Sequence, residues 1–203
     1  IYTFNLGNRA IIKNINFRGN KIFKETKLRN VIKSEEGKFW KFLTLEKYLD
    51  ERKIKIDEEL LRKYYKNKGY YNVNIKSSYA KNINNEFFEL NFNIDSGKKF
   101  FFKKINLKLN DEYNEENFEH IKKISDKLIN KKYSQKKLDN ILDEINKTAL
   151  EKEYVFVDVN YDLTIVDNNK IIIDLKFKDL EKFYVEQINI FGNFITEEKV
   201  IRN

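Results

Sequence analysis

The sequence contains no cysteine, which excludes disulfide bridges, cysteine-based zinc sites and a thiol nucleophile. It also contains no run of apolar residues that approaches the ~20 needed for a membrane-spanning helix. The first residues, Ile-Tyr-Thr-Phe, do not resemble a signal peptide. We therefore expect the chain to be a segment of a longer protein rather than a leader or a membrane anchor.

Residues suited to catalysis are scarce. His120 is the only histidine, and its position beside Phe118 and Ile121 on a predicted helix indicates an ordinary exposed side chain. The six glycines are scattered, so there is no glycine-rich phosphate loop. The acidic residues have Lys or Arg neighbours at helical spacing, which is typical of solvated ion pairs. We predict no catalytic residues, no metal site and no cofactor, and so no enzyme.

Proline is also absent, and the chain is rich in Lys, Asn and Ile, a bias that indicates compositional drift. The 40 basic and 32 acidic residues give a formal net charge of +8, but the two signs are interspersed along the chain. This mixture predicts a solvated surface rather than a binding patch of one sign. Aromatic residues make up 15% of the chain, which excludes a disordered protein.

A six-residue pattern recurs at domain-sized intervals. Residues 15–20 read Ile-Asn-Phe-Arg-Gly-Asn and residues 188–193 read Ile-Asn-Ile-Phe-Gly-Asn. Between them, residues 105–110 form a degenerate copy, Ile-Asn-Leu-Lys-Leu-Asn, so that the copies begin 90 and 83 residues apart. An interval of this length indicates a repeated small domain rather than a solenoid.

Hydrophobic periodicity predicts the order βααββ inside each repeat. In the first, we predict strands at 11–17, 70–76 and 88–94, a short helix carrying Leu28, Val31 and Ile32, a helix within 45–67 and a hairpin turn at 82–85. In the second, we predict strands at 103–109, 154–161 and 171–177, helices across 118–128 and 138–149 and a turn at 167–169. The predicted fold class is α+β, with tandem modules that each contain a three-stranded sheet covered on one face by two antiparallel helices.

The predicted boundaries are 11–98 and 99–180. Residues 1–10 then form the last strand of a preceding unit, and residues 181–203 begin a further one. Two departures from the repeat lie in the second unit: Leu109 stands where the glycine is expected, and Glu153 replaces the glycine after the second helix. If the left-handed backbone persists there, Glu153 costs ~1 kcal/mol relative to Gly.

The strand ending in Gly-Asn, the paired helices and residues 61–71 (Leu-Arg-Lys-Tyr-Tyr-Lys-Asn-Lys-Gly-Tyr-Tyr) together resemble the POTRA (polypeptide-transport-associated) domains of BamA-type outer-membrane assembly factors. The resemblance extends through most of the chain. The long loop with Phe39, Trp40 and Phe42 is similar to that of the third POTRA, so the next unit corresponds to the fourth and residues 181–203 to the start of the fifth.

This resemblance implies a non-catalytic scaffold at the periplasmic face of the bacterial outer membrane. The implied partners are unfolded outer-membrane proteins, accessory lipoproteins and the membrane β-barrel of the same full-length chain. The implied mode of binding is β-augmentation, in which an extended peptide pairs with an exposed sheet edge. Nucleic acid is not among the expected partners.

The family pattern places the binding edge on the strand after the second helix, although an ordinary half-solvated strand would carry the same residues. The candidate edge residues are Tyr71, Val73, Asn74, Ile75, Lys76, Val155, Val157 and Val159. A second candidate site is the aromatic cluster of Phe39, Trp40 and Phe42. These aromatic residues either anchor a partner or pack against their own loop.

Two other functions remain open. Residues 98–104 (Lys-Lys-Phe-Phe-Phe-Lys-Lys) interleave aromatic and basic residues, as a surface that stacks single-stranded nucleic acid does. The stretch lacks the glycine of an RRM motif, and no Gly-x-x-Gly joins the helices as in a KH domain. The structural alternative is a junction in which Phe100 and Phe102 are packed and the lysines are solvated. The chain could also be the POTRA region of a related outer-membrane secretion transporter.

Overall fold

The computed structural model describes residues 11–19, 22–37, 50–81, 87–154 and 157–178. These residues form two α+β units with the same order of elements. The first contains β1 (Ile11–Arg18), α1 (Glu25–Arg29), α2 (Glu51–Asn67), β2 (Asn74–Lys81) and β3 (Phe87–Asp95). The second contains β4 (Phe101–Lys108), a 3-10 turn (Glu115–Phe118), α3 (Glu119–Asp126), α4 (Gln135–Glu151), β5 (Asp158–Val166) and β6 (Lys170–Lys178). Within the described ranges, no helix is long and apolar enough to cross a membrane.

The two sheets share one topology. The strand orders are β1-β3-β2 and β4-β6-β5, with the first strand parallel to the central strand and the second antiparallel to it. Both parallel pairings contain an irregularity at the same place, between Ile12 and Asn14 and between Phe102 and Lys104. Ile15 and Ile105 occupy equivalent positions opposite the central strands, so the degenerate repeat at 105–110 is a structural repeat.

Each sheet packs its helices on one face. In the second unit, alternate residues of β6 (Ile171, Ile173, Leu175 and Phe177) are buried against Ile141 and Ile145 of α4. In the first, Ile15, Leu90 and Phe92 are buried with Leu61 and Tyr65 of α2. The predicted α+β fold is therefore confirmed.

The buried Asp57 on α2 fixes the chain after α1. Its carboxylate accepts hydrogen bonds from the backbone N–H groups of Lys33, at 2.6 Å, and Ser34, at 3.1 Å. A buried carboxylate without partners would be costly, and these two donors satisfy it. Asp57 therefore stabilises the connection between two helices that α1, with only five residues, could not hold alone.

The second strand of each unit begins later than the sequence predicted, at Asn74 instead of residue 70 and at Asp158 instead of residue 154. The cause is the end of the preceding helix. Gly69 (φ 103°) and Glu153 (φ 57°) reverse the chain, after which the Tyr70 N–H bonds back to the Tyr65 carbonyl and the Tyr154 N–H to the Ala149 carbonyl. In the first unit, residues 71–73 then lead back to the sheet before pairing begins at Asn74.

Two helix predictions need smaller corrections. The helix α1 ends at Arg29, and Val31 and Ile32 reach the core from the segment beyond it. The helix predicted across 118–128 is shorter in the structure, where α3 spans Glu119–Asp126. It follows a 3-10 turn that ends at Phe118, whose backbone (φ −107°, ψ 8°) is not helical. The turn at 167–169 is confirmed. The predicted turn at 82–85, the aromatic cluster at 39–42 and residues 1–10 and 181–203 lie outside the described residues.

The junction between the units combines polar and aromatic contacts. The Phe100 N–H donates to the Gly69 carbonyl at 2.8 Å, and the Asn67 side-chain oxygen accepts from the Lys136 N–H, also at 2.8 Å. The Tyr71 ring packs edge-on against Phe100 and Tyr133, with centroids 5.9 and 5.2 Å away. The sequence does not predict this aromatic contact between Tyr71 and the second unit.

Candidate functional site: the sheet edges β2 and β5

The second strand of each unit lies at an edge of its sheet. Among the strands that the structure describes, β2 and β5 each pair with the central strand, β3 or β6, on one side and with no other strand. An edge strand presents backbone N–H and C=O groups to which another extended chain can bond. The two edges differ in what already occupies these groups.

The β2 edge is covered in part by side chains of α2. The Glu58 carboxylate accepts a hydrogen bond from the Ser77 N–H at 2.6 Å, and the Arg62 guanidinium donates to the Ile75 carbonyl at 3.4 Å. Residues two apart on a strand direct their backbone groups to the same side. Glu58 therefore occupies the amide, and Arg62 the carbonyl, that an added strand would use.

A third contact extends this cover along β2. The Tyr79 hydroxyl donates to the Glu51 carboxylate at 2.5 Å. This hydrogen bond, together with the negative charge of Glu51, raises the pKa of the Tyr79 phenol above its ordinary value. The start of α2 thus also contacts β2, although Tyr79 itself remains 44% exposed.

The β5 edge has no such cover. Within the described ranges, no side chain forms a hydrogen bond with a backbone group of β5. Its helix-facing residues are Val159, Tyr161, Leu163 and Ile165, because their partners on β6 are the buried residues Phe177, Leu175, Ile173 and Ile171. Tyr161 is 37% exposed and Ile165 is 43% exposed. We call Val159, Tyr161, Leu163 and Ile165 the β5 apolar row.

A groove of about 580 Å³ lies between the two units and adjoins the β5 apolar row. We call it the junction groove. Its apolar residues are Ile56, Leu60 and Tyr161, and its basic residues are Lys55, Arg62, Lys63 and Lys66. Glu59, the one acidic residue among the described residues that line it, is ion-paired with Arg62. Arg62 lines the groove and also contacts β2, so the groove lies beside both the β5 edge and the β2 edge.

The structure places the predicted edge residues in three settings. Asn74, Ile75 and Lys76 lie on β2, and Val159 lies on β5. Val73 and Val157 directly precede these strands, and Val73 is buried. Tyr71 is not an edge residue, because its ring packs in the junction. Val155 and the aromatic cluster of Phe39, Trp40 and Phe42 lie outside the described residues.

The basic and aromatic stretch at 98–104 does not form a stacking surface. Phe100 is 3% exposed and Phe102 is 0% exposed, and both belong to the core of the second unit. Of the lysines, Lys103 forms an ion pair with Asp167. Base stacking requires exposed ring faces, so these two phenylalanines cannot supply it. The alternative of a packed junction agrees with the structure.

Other chemistry has little support in the described part of the chain. His120 is exposed, and its Nε2 lies 3.0 Å from the Thr148 hydroxyl oxygen. The described residues contain no group of three or more His, Asp or Glu side chains that could hold a metal ion. The sheet edges and the junction groove are therefore the features through which we interpret function.

Comparison with known proteins agrees with this architecture. Residues 10–97 match the family model described as POTRA, surface antigen variable number repeat. The chain is 24% identical over 202 residues to the outer membrane protein assembly factor BamA of Neisseria meningitidis, which covers 98% of this chain and 25% of that protein. The BamA of Buchnera aphidicola is 26% identical over 205 residues, with 98% and 32% covered. The chain thus spans about a quarter to a third of the length of these curated relatives.

Solved structures share the fold. The structure of Haemophilus influenzae BamA POTRA3-5 matches with a TM-score of 0.70 at 19% identity, covering 98% of this chain and 79% of that one. Haemophilus ducreyi BamA lacking POTRA domains 1-3 matches with a TM-score of 0.59 at 14% identity, covering 85% of this chain and 29% of that one. Residues 10–97 therefore match a POTRA domain, and the resemblance of the chain to the POTRA region of BamA-type proteins is confirmed.

Proposed function

We propose that this chain is part of a non-catalytic scaffold at the periplasmic face of the bacterial outer membrane, where it binds unfolded outer-membrane proteins by β-augmentation. The names of its relatives, outer membrane protein assembly factors, support the setting. We propose boundaries of 11–98 and 99–180 for its two POTRA units, with residues 1–10 and 181–203 belonging to neighbouring units.

The observation that carries the proposal is the uncovered β5 edge with its apolar row. Native edge strands usually carry charges, prolines or covering elements that prevent pairing. β5 carries Asp158 and Asp162 on the face away from the helices, where each forms an ion pair with a lysine of β6. On its helix-facing side it presents Tyr161 and Ile165, which are more than one-third exposed, beside backbone positions that no described side chain bonds. Main-chain hydrogen bonds worth a net ~0.5–1.5 kcal/mol each give weak binding that tolerates many sequences. A scaffold that handles many clients needs this kind of contact.

β2 is a second, regulated edge in this proposal. Asn74, Ile75 and Lys76 become available to a client when Glu58 and Arg62 release the strand. We retain the aromatic cluster of Phe39, Trp40 and Phe42 as a proposed contact for a partner protein. Accessory lipoproteins and the membrane β-barrel of the full-length protein are further proposed partners.

Titration followed by NMR tests the proposal. An unfolded outer-membrane-protein peptide with alternating apolar residues is added to the ¹⁵N-labelled chain, and we expect salt-tolerant shifts centred on β5. The matched control is the same peptide with N-methylated backbone amides, which cannot complete the hydrogen bonds. Ile165→Thr keeps a β-branched side chain at an exposed position and should weaken binding without unfolding the protein.

Two results would contradict the proposal. One is equal binding of the methylated and unmethylated peptides, because backbone pairing would then contribute nothing. The other is a set of shifts centred on residues 98–104 that appear with single-stranded RNA and vanish in salt, as expected of nucleic-acid binding.

A further inference from the structure

We infer that the junction groove is a specificity site for the β5 edge and accepts an extended segment with an apolar side chain and, two residues away, a carboxylate. This inference rests on the proposed function, since pairing with β5 brings the segment to the groove. Backbone pairing alone would not distinguish one client sequence from another, and the groove would add a preference for particular side chains.

The position of Tyr161 connects the edge to the groove. Tyr161 belongs to the β5 apolar row and also lines the groove. A strand added to β5 would lie about 4.8 Å beyond it, with its helix-facing side chains continuing the row. The opposite wall of the groove is α2, which contributes Ile56 and Leu60. Side chains of the added strand would therefore enter the space between β5 and α2.

The apolar part of the groove is not needed for the core. The buried residues of α2 are Ile54, Asp57, Leu61 and Tyr65, whereas Ile56 and Leu60 form a second pair four residues apart. Ile56 is 46% exposed and Leu60 is half-buried. Exposed apolar residues that cluster in a concave site are typical of binding surfaces. An aliphatic or aromatic side chain of a client would cover them.

The charges of the groove determine the second part of the preference. Lys55, Lys63 and Lys66 form no ion pair with any described residue, whereas the charge of Arg62 is balanced by Glu59. Lys55, Lys63 and Lys66 are three cations without an acidic partner among the described residues, and they favour a carboxylate and disfavour a client lysine. Of the three, Lys66 also lies over the Tyr71 ring, with its Nζ 5.5 Å from the ring centroid. Side chains two residues apart share one face of a strand. A carboxylate at that spacing from the apolar residue would therefore face the same groove.

Four extended peptides of about ten residues test this preference. Three carry Leu at one position and Asp, Asn or Lys two residues later. The fourth has the composition of the Asp peptide, but its Asp is adjacent to Leu and so faces the other side of the strand. Dissociation constants come from fluorescence anisotropy at two salt concentrations, and NMR shifts report whether β5 is the binding edge.

We expect the Asp peptide to bind about fivefold more tightly than the Asn peptide, and the Lys peptide to bind most weakly. The adjacent Asp should give no advantage. Lys55→Gln combined with Lys63→Gln should remove the preference for Asp and leave the Asn peptide unchanged. The control is Lys104→Gln combined with Lys127→Gln, which removes the same charge from exposed residues that do not line the groove.

The outcomes separate the two proposals. If the Asp and Asn peptides bind equally while the β5 amides shift, the edge function stands and the groove preference is wrong. If the control variant loses the preference as much as the groove variant does, the net charge of the protein is responsible, and the inference is again wrong. If no peptide shifts the β5 amides, the proposed function fails, and the groove preference fails with it.

Discussion

The carboxylate of Glu58 on α2 accepts a hydrogen bond from the backbone N–H of Ser77 on β2, across 2.6 Å. Beside it, Arg62 donates to the Ile75 carbonyl. A helix thus supplies, through two side chains, the donor and the acceptor that a neighbouring strand would offer. This cover protects β2 from non-specific pairing with other strands. A client strand must displace the side chains of Glu58 and Arg62 before it can pair with β2.

The first prediction concerns this cover. Glu58→Ala should free the Ser77 amide, increase its rate of hydrogen exchange and raise the affinity of a client peptide for β2 about threefold to tenfold, since one hydrogen bond no longer has to be displaced. Glu116→Ala is the control, because Glu116 is exposed, lies outside α2 and β2, and its loss changes the net charge equally. Equal peptide affinities of the two variants would show that Glu58 does not limit access.

The second prediction concerns Asp57. Asp57→Ala removes the acceptor of two backbone N–H groups, the buried one of Ser34 and the partly buried one of Lys33. We therefore expect a loss of about 3 kcal/mol in the free energy of unfolding. Urea denaturation followed by circular dichroism measures this loss. Asp57→Asn keeps one acceptor oxygen and should cost less. A loss below about 1 kcal/mol for the alanine variant would mean that water replaces the carboxylate.

The third prediction concerns positive φ angles. Glu153 has φ 57°, so Glu153→Gly should raise the free energy of unfolding by about 1 kcal/mol. The opposite change, Gly19→Ala, should lower it by more than that, because a Cβ atom at Gly19 would lie 2.7 Å from the Ile94 carbonyl oxygen. Thermal denaturation of both variants gives the comparison. A destabilised Glu153→Gly variant would contradict the first of these expectations.

The fourth prediction concerns acid stability. A hydrogen bond from Asn106 and the charge of Lys108 lower the pKa of Asp174 in the folded protein. The resulting stabilisation is complete above the unfolded-state pKa of about 3.9 and is lost as the pH falls through the folded-state pKa. Asp174→Asn should therefore make the free energy of unfolding less dependent on pH below about pH 4. Parallel pH curves for the variant and the parent would show that Asp174 contributes nothing.

Asn91 supplies an internal precedent for that substitution. It occupies on β3 the position that Asp174 occupies on β6, and its side chain accepts a hydrogen bond from Asn16 as Asp174 does from Asn106. The fold therefore accommodates an amide at this position, and we expect Asp174→Asn to fold normally at neutral pH.

The fold could be predicted from the sequence because its strongest signals are local and repeated. The alternation of buried and exposed residues on β6 and the recurrence of Ile15 at Ile105 fixed the order of the elements. The starts of β2 and β5 were misplaced because alternation already begins at Tyr71, where the chain is still leaving α2. Alternation identifies the two faces of an extended segment, but not whether that segment is hydrogen-bonded to a neighbour.

The candidate site was only partly visible for a related reason. The apolar alternation of Tyr161, Leu163 and Ile165 is present in the sequence, but a strand predicted to end at residue 161 left the last two out. The contacts of Glu58 with Ser77 and of Arg62 with Ile75 join residues that are 19 and 13 positions apart. No periodicity signals such pairs, because they depend on the angle at which α2 crosses the sheet.

The packing of Tyr71 affects where the first unit can be separated from the second. The match to the POTRA family ends at residue 97, yet the Tyr71 ring rests on Phe100 and Tyr133 beyond it. A fragment cut at residue 97 would keep every strand of the first sheet and still expose an aromatic ring that the intact chain covers. Excised units would therefore be less stable than their sequences indicate and more prone to non-specific hydrophobic binding. Affinities measured on them would include a non-specific contribution that the continuous chain does not have.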